Sequence, residues 1–132
     1  MPNQTKNSKT SISVKLHLAT SGFIVITVGL LYGLAPSKFM PLVFNFNVEA
    51  LELKNMLRAI MGLYLGFGIY WLVGVVNPSQ WRTATLSNVI FMGGLAFGRL
   101  ISTLVDGIST QFTIGLFLEI LLMVWGLKNL KK

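Results

Sequence analysis

All the formal charge of this 132-residue chain comes from eleven Lys and Arg and four Asp and Glu, and two of these stand where charge is costly. Arg99 lies inside the apolar run from Ala84 to Val105, and Glu119 inside the run from Gln111 to Leu127. If such runs cross a bilayer, a charge well inside one costs on the order of 2.5–3.5 kcal/mol by insertion scales, so it needs a partner or water. Arginine offers a planar fork of donors that matches a carboxylate or a phosphate. Arg99, Ser102 and Asp106 share one helical stripe, and Asn55, Arg58 and Gly62 share another. The pattern therefore predicts one polar cluster. In it Arg99 pairs with Glu119, and Arg58 joins or flanks the pair, or bonds instead to Asp106, Glu52 or Glu119. Ser102, Asp106 and Asn55 complete the set. Such a cluster is either a charge-balanced lock that fixes helix register or an outward-opening pocket that binds an anionic or polar small molecule or passes a proton.

Other chemistry finds little support. There is no cysteine, which excludes disulfides, thiol catalysis and Cys-based metal sites. His17 is the only histidine and reads as an interfacial residue near the start of the first apolar run; with no second His or Cys there is no metal-ligand spacing. Ser102 has no nearby His, and Ser87 and Thr103 read as ordinary helix hydroxyls, so no catalytic residue is assigned. Gly66-Phe67-Gly68 and Gly93-Gly94 lack the strand-turn-helix setting of a phosphate loop. Tyr64, Tyr70, Trp71 and the phenylalanines read as lipid contacts, packing and interface anchors, and no cofactor is expected. A membrane enzyme acting on a lipid or quinone ranks last.

The elements that must position these residues follow from composition. The chain is 53% hydrophobic and 11% charged, with a mean hydropathy of +0.68, whereas soluble domains carry about 25% charge. This predicts an all-α integral membrane protein: a single four-span up-down-up-down domain over residues 11–127. The spans are expected at about 14–34, 55–76, 84–105 and 111–127. Each is close to the roughly 20 residues that cross the hydrocarbon core. Residues 1–10 read as a disordered cytoplasmic tail and 128–132 as a basic one. The apolar part of the first run, Leu16 to Leu34, is too long for a signal-peptide core, so it reads as a retained span. Ala35-Pro36 ends span one and Asn77-Pro78-Ser79 ends span two. Asp106-Gly107 begins a tight turn before span four. The segment Ser37 to Lys54 mixes Phe39, Phe44 and Phe46 with Lys38, Pro41 and Asn47, a composition suited to the headgroup boundary.

The net charge of +7 is a topology signal and does not point to nucleic acid. Lys6, Lys9, Lys15, Arg82, Lys128, Lys131 and Lys132 lie on the side of the termini, against Lys38, Lys54 and Arg58 on the other, which places both termini in the cytoplasm. Trp71 and Trp81 bracket the turn after span two as an aromatic belt would. The expected partners are membrane lipids, and other membrane proteins or a second copy.

Three spans carry glycines four apart: Gly29 with Gly33, Gly62 with Gly66, and Gly94 with Gly98. Such pairs let helix backbones approach closely in lipid. In span four Gly115 and Gly126 lie near the stripe of Glu119, which turns the glutamate toward the bundle. At 1.5 Å per residue, Arg99 is about 9 Å from the end of span three and Glu119 about 12 Å from the start of span four, nearly one level.

The stretch Asn55-Met-Leu-Arg58-Ala-Ile-Met-Gly62-Leu-Tyr64-Leu-Gly66, then Gly93-Gly94-Leu-Ala-Phe-Gly98-Arg99-Leu-Ile-Ser102 and Asp106-Gly107, resembles the small bacterial membrane proteins of domain-of-unknown-function family 4345. The resemblance covers nearly the whole chain from span one to span four. It implies a four-helix protein of the bacterial inner membrane and brings no activity with it. A remoter similarity to the four-helix DoxX-like membrane proteins is one of architecture alone. The functional expectation is a non-enzymatic accessory or structural membrane protein; the alternative is a small-molecule or proton-linked carrier with an outward-facing polar pocket.

Overall fold

A computed structural model describes residues 10–132. The tail expected at the N-terminus, with Lys6 and Lys9, lies outside the described residues save for Thr10. Helix α1 runs Ile12–Gly33, α2 Pro36–Phe39, α3 Leu51–Val76, α4 Trp81–Asp106 and α5 Thr110–Leu130. A π-helical turn, Met40–Phe44, continues α2. No strand occurs among the described residues. The four long helices, of 21 to 26 residues, are each long and apolar enough to cross a membrane.

The helix ends have local causes. The Ser11 hydroxyl accepts from the Val14 amide and opens α1. Pro36 stands at the first position of α2, where its missing N–H costs nothing. Asn45, at φ 58°, is left-handed and stops the π turn. Asn77 accepts from the amide and hydroxyl of Ser79 and shapes the turn before α4. Gly107, at φ 106°, takes a backbone conformation that side chains resist and so ends α4.

The helices run a few residues beyond the expected spans. Helix α3 starts at Leu51, ahead of span two, and Glu52 falls in its first turn, where a carboxylate favours the helix N-terminus. Helix α4 starts at Trp81. Helix α5 continues to Leu130, placing Lys128 in its last turn and not in a tail. Asn129, buried and bonded to Ser13 of α1, holds that last turn in place.

The helices alternate in direction. Ile12, Val76, Trp81 and Leu130 mark one end of the bundle, here the terminal end; Gly33, Leu51, Asp106 and Thr110 mark the distal end. Helix α1 packs most extensively on α3, and α4 on α5. The first pair meets almost backbone to backbone: a Cβ on Gly22 would lie 3.0 Å from the Gly68 carbonyl oxygen, and one on Gly68 would lie 3.1 Å from that of Gly22. Of the three predicted glycine seams, only Gly29 and Gly33 lie at such a contact, against Tyr64 and Met61 of α3. Gly62, Gly66, Gly94 and Gly98 are exposed and have no atom within 4 Å of a built Cβ among the described residues. Phe23, at 74% exposure, and Leu104, at 85%, belong to an apolar outer surface. His17, Ser21 and Asn88 are fully buried. Apolar groups outside and polar groups inside are what a lipid solvent demands.

The connection between α1 and α3 does not lie flat along a boundary. Met40 and Val48 are buried, the Ser37 hydroxyl donates to the Val48 carbonyl, and Phe44 and Phe46 turn inward toward α5. The segment folds over the distal end of the bundle.

Candidate functional site at the distal end

Arg99 of α4 and Glu119 of α5 meet inside the bundle. The Arg99 Nε donates to both Oε1 and Oε2 of Glu119, each at 2.9 Å. The side chains are 21% and 9% exposed. The contact is possible because Gly115, one turn before Glu119, has no side chain: a Cβ there would lie 3.7 Å from Nε and 3.8 Å from Cζ of Arg99. The Phe112 ring lies 5.1 Å from the guanidinium carbon, a cation–π distance. On the connecting segment, Phe44 stacks on Phe112 with centroids 5.3 Å apart and planes 7° apart. The guanidinium thus spends one nitrogen on the carboxylate. Its two terminal nitrogens make no hydrogen bond within 3.5 Å to another described residue, and the Tyr32 side chain is the polar neighbour beside them.

Those nitrogens border two hollows. A cavity of about 420 Å³ is walled by Leu57 and Ile60 of α3, Gly94, Gly98 and Ser102 of α4, Leu116 of α5, and Met40 and Phe46 of the connection. A second, of about 240 Å³, lies between Ile24 and Val28 of α1 and Leu118 and Glu119 of α5. Tyr32, Tyr64, Leu95, Arg99 and Phe112 line both. The larger falls within the roughly 300–1,000 Å³ of small-molecule sites, and its make-up, mostly apolar with a few convergent polar groups, is typical of them.

The other members of the predicted cluster stand elsewhere. Arg58 does not join the pair: it is exposed, and its Nη1 donates to the Gly33 carbonyl at 3.1 Å, satisfying the C-terminus of α1. Asn55 is exposed on the same outward face. The stripe Asn55, Arg58, Gly62 is real, but the inward face of α3 is Leu57, Tyr64, Gly68 and Trp71. Asp106, the last residue of α4, is exposed and accepts from the Ser102 hydroxyl at 3.0 Å, a pairing of i and i+4 on one helix surface. Ser102 reaches the cavity wall; Asp106 does not. Glu52 is exposed in the first turn of α3. Among the described residues no three His, Asp or Glu gather as a metal site.

A second polar group, at the terminal end, is absent from the predicted cluster. His17 is not interfacial. It is fully buried, its Nε2 is 2.9 Å from the Leu122 carbonyl oxygen, and its ring lies edge-on to Trp125 at 5.3 Å. Trp125 donates to the Ser13 hydroxyl, which donates to Asn129. Trp71 is no belt residue either: it is fully buried and donates to Ser87. The Nδ1 of His17, the Ser21 hydroxyl and the Asn88 amide are buried without a partner among the described residues. The signal that could have found them is polarity itself, since polar side chains within spans face the interior.

Fold and site together define a four-helix bundle of membrane-crossing helices with a buried ion pair beside a distal cavity. The family described as a domain of unknown function, DUF4345, matches residues 13–128, from the first turn of α1 into the last turn of α5, and the chain belongs to that family. Neither a curated protein nor a solved structure matches it.

Proposed function

We propose that the chain is a non-enzymatic accessory protein of the bacterial inner membrane that holds a small anionic molecule in its distal cavity, with Arg99 as the recognition residue. Both termini face the cytoplasm in this reading, so the cavity faces outward. Lys15, Arg82, Lys128, Lys131 and Lys132 at the terminal end, against Lys38, Lys54 and Arg58 at the other, support that orientation.

The observation that carries the reading is the side-on geometry of the pair. A guanidinium paired only with a carboxylate frequently engages it through the parallel fork of two nitrogens. Here Nε alone meets both oxygens, and the remaining N–H groups border about 420 Å³ of largely apolar space. The non-enzymatic part is supported by the Ser and Thr hydroxyls of the wall: that of Ser102 donates to Asp106, that of Thr103 to the Arg99 carbonyl, that of Ser109 to Gln111 and that of Thr113 to the Ser109 carbonyl. The carrier alternative draws on the ionisable pair inside the spans, but alternating access would have to open a terminal end closed by Trp71, Leu18 and His17, all fully buried.

The test is calorimetric titration of the purified protein in nanodiscs with short carboxylates and inorganic phosphate. Arg99→Ala strands a buried carboxylate, so the informative variant is Arg99→Gln combined with Glu119→Gln, which removes both charges and retains two amides to pair. Binding by the native protein and its loss in the folded double variant support the reading. Equal binding by both overturns it, and anion-dependent flux in liposomes would replace it with the carrier.

A further inference from the structure

Resting on the reading of Arg99 as an anion-binding residue, we propose that the ligand is a long-chain carboxylic acid admitted sideways from the bilayer, through a window between α3 and α4 bordered by Gly94 and Gly98.

Both glycines are exposed and line the larger cavity, with Leu57, Ile60 and Tyr64 of α3 on the facing wall. A Cβ built on either meets no described atom within 4 Å. The helix backbone itself stays closed, but two residues four apart leave the border of the cavity along α4 without side chains where it faces α3. Phe97, at 66% exposure, Ile101 and Leu104 surround it on the same apolar surface. The depth is decisive. Gly94 lies about 20 Å along α4 from Trp81 and about 18 Å from Asp106, at 1.5 Å per residue. Those distances put the window at the level of acyl chains, where a water-borne ion pays the full cost of burial and a hydrocarbon chain pays none.

The interior agrees with such a guest. Among the described residues Arg99 is the only charged one on the wall of the larger cavity, and Leu57, Ile60, Leu95 and Leu116 supply apolar surface around it. Arg99, Gly98 and Gly94 line the same cavity, so a carboxylate seated on the terminal nitrogens has room for its chain past the two glycines toward the membrane. A carboxylate takes two parallel N–H bonds from such a fork. Its chain gains in proportion to the methylenes it removes from water.

The full chain in phosphatidylcholine nanodiscs is titrated with carboxyl-labelled palmitate and hexanoate, the carboxyl carbon resonance reporting contact with Arg99. The variant is Gly94→Leu with Gly98→Leu, whose side chains enter open space and replace poor helix formers by a good one; Gly94→Leu alone serves if the pair misfolds. The native protein is expected to bind palmitate about tenfold or more tighter than hexanoate. Window closure is expected to weaken palmitate about tenfold and leave hexanoate, which reaches Arg99 past Gly107 and Ser109 at the edge of the cavity by the α4–α5 turn, unchanged. Palmitate binding that ignores the leucines overturns admission through the window. Hexanoate binding without palmitate overturns the long-chain ligand while the anion site stands. If the native protein binds neither, the anion site falls as well.

Discussion

The two ends of this bundle solve the same problem in opposite ways. At the terminal end polar side chains from different helices engage one another or backbone carbonyls: Trp71 with Ser87, Trp125 with Ser13, Ser13 with Asn129, and His17 with the Leu122 carbonyl. The His17 Nδ1, the Ser21 hydroxyl and the Asn88 amide stay buried without a partner among the described residues. The residues between them, Val14, Leu18 and Ala84, are buried. At the distal end one charge pair stands between two cavities, and the space is roofed by the folded connection of residues 40–48 and not by the helices themselves. Neutral hydrogen bonds need neither a counter-charge nor room for one. A charged pair needs a partner of opposite sign, and a guanidinium needs more partners than one carboxylate supplies. The contrast teaches that the fold is secured at one end and left hollow at the other.

Removal of one member of the charge pair should break the distal end first. Arg99→Ala is expected to cost about 3–5 kcal/mol by stranding Glu119, while joint replacement of both charges by Gln recovers most of that loss. Thermal unfolding of the single and double variants, read as a double-mutant cycle, checks it; additive losses would show that the two groups are not coupled. Next, truncation of apolar side chains should separate the ends. Leu18→Ala at the closed end is expected to cost about 2–5 kcal/mol, whereas Ile60→Ala, on a wall that already faces a cavity, should fall below that range. Equal losses by denaturation in detergent would erase the distinction. The smallest effect belongs to the periphery. Arg58→Ala removes an exposed bond to the Gly33 carbonyl at the end of α1 and should cost about 0.3–1 kcal/mol, with ligand titrations unchanged; a change in anion affinity would return Arg58 to the site.

Much of this architecture is legible in the sequence, and the part that is not has a physical cause. Four helices follow from four apolar runs separated by Pro36, Pro78 and Gly107, because a chain in lipid must satisfy its own backbone. The meeting of Arg99 with Glu119 follows from their common depth and a three-residue connection between antiparallel helices. Which face of α3 turns inward does not follow. In water the buried stripe is apolar and the exposed one polar, but here buried Leu57 and exposed Met56 are both apolar, so periodicity loses its contrast. The eye then goes to the polar stripe of Asn55 and Arg58, which lies near the distal end, where a long side chain reaches outward without cost. The roof over the cavity is equally hidden, since its shape depends on a π turn and on Phe44 finding Phe112, a contact far apart in sequence. The buried trio of His17, Ser21 and Asn88 carries a plain signal, two polar residues in the first run and one in the third, but one that names no partner.

The burial of His17 also gives the closed end a private spectroscopic line. The protein has a single imidazole, so isotope labelling of histidine nitrogen yields one pair of ring resonances free of overlap. One reports the proton shared with the Leu122 carbonyl and the other whatever comes to face Nδ1. Any loosening between α1 and α5 at that level would be read directly from two frequencies, with no probe attached.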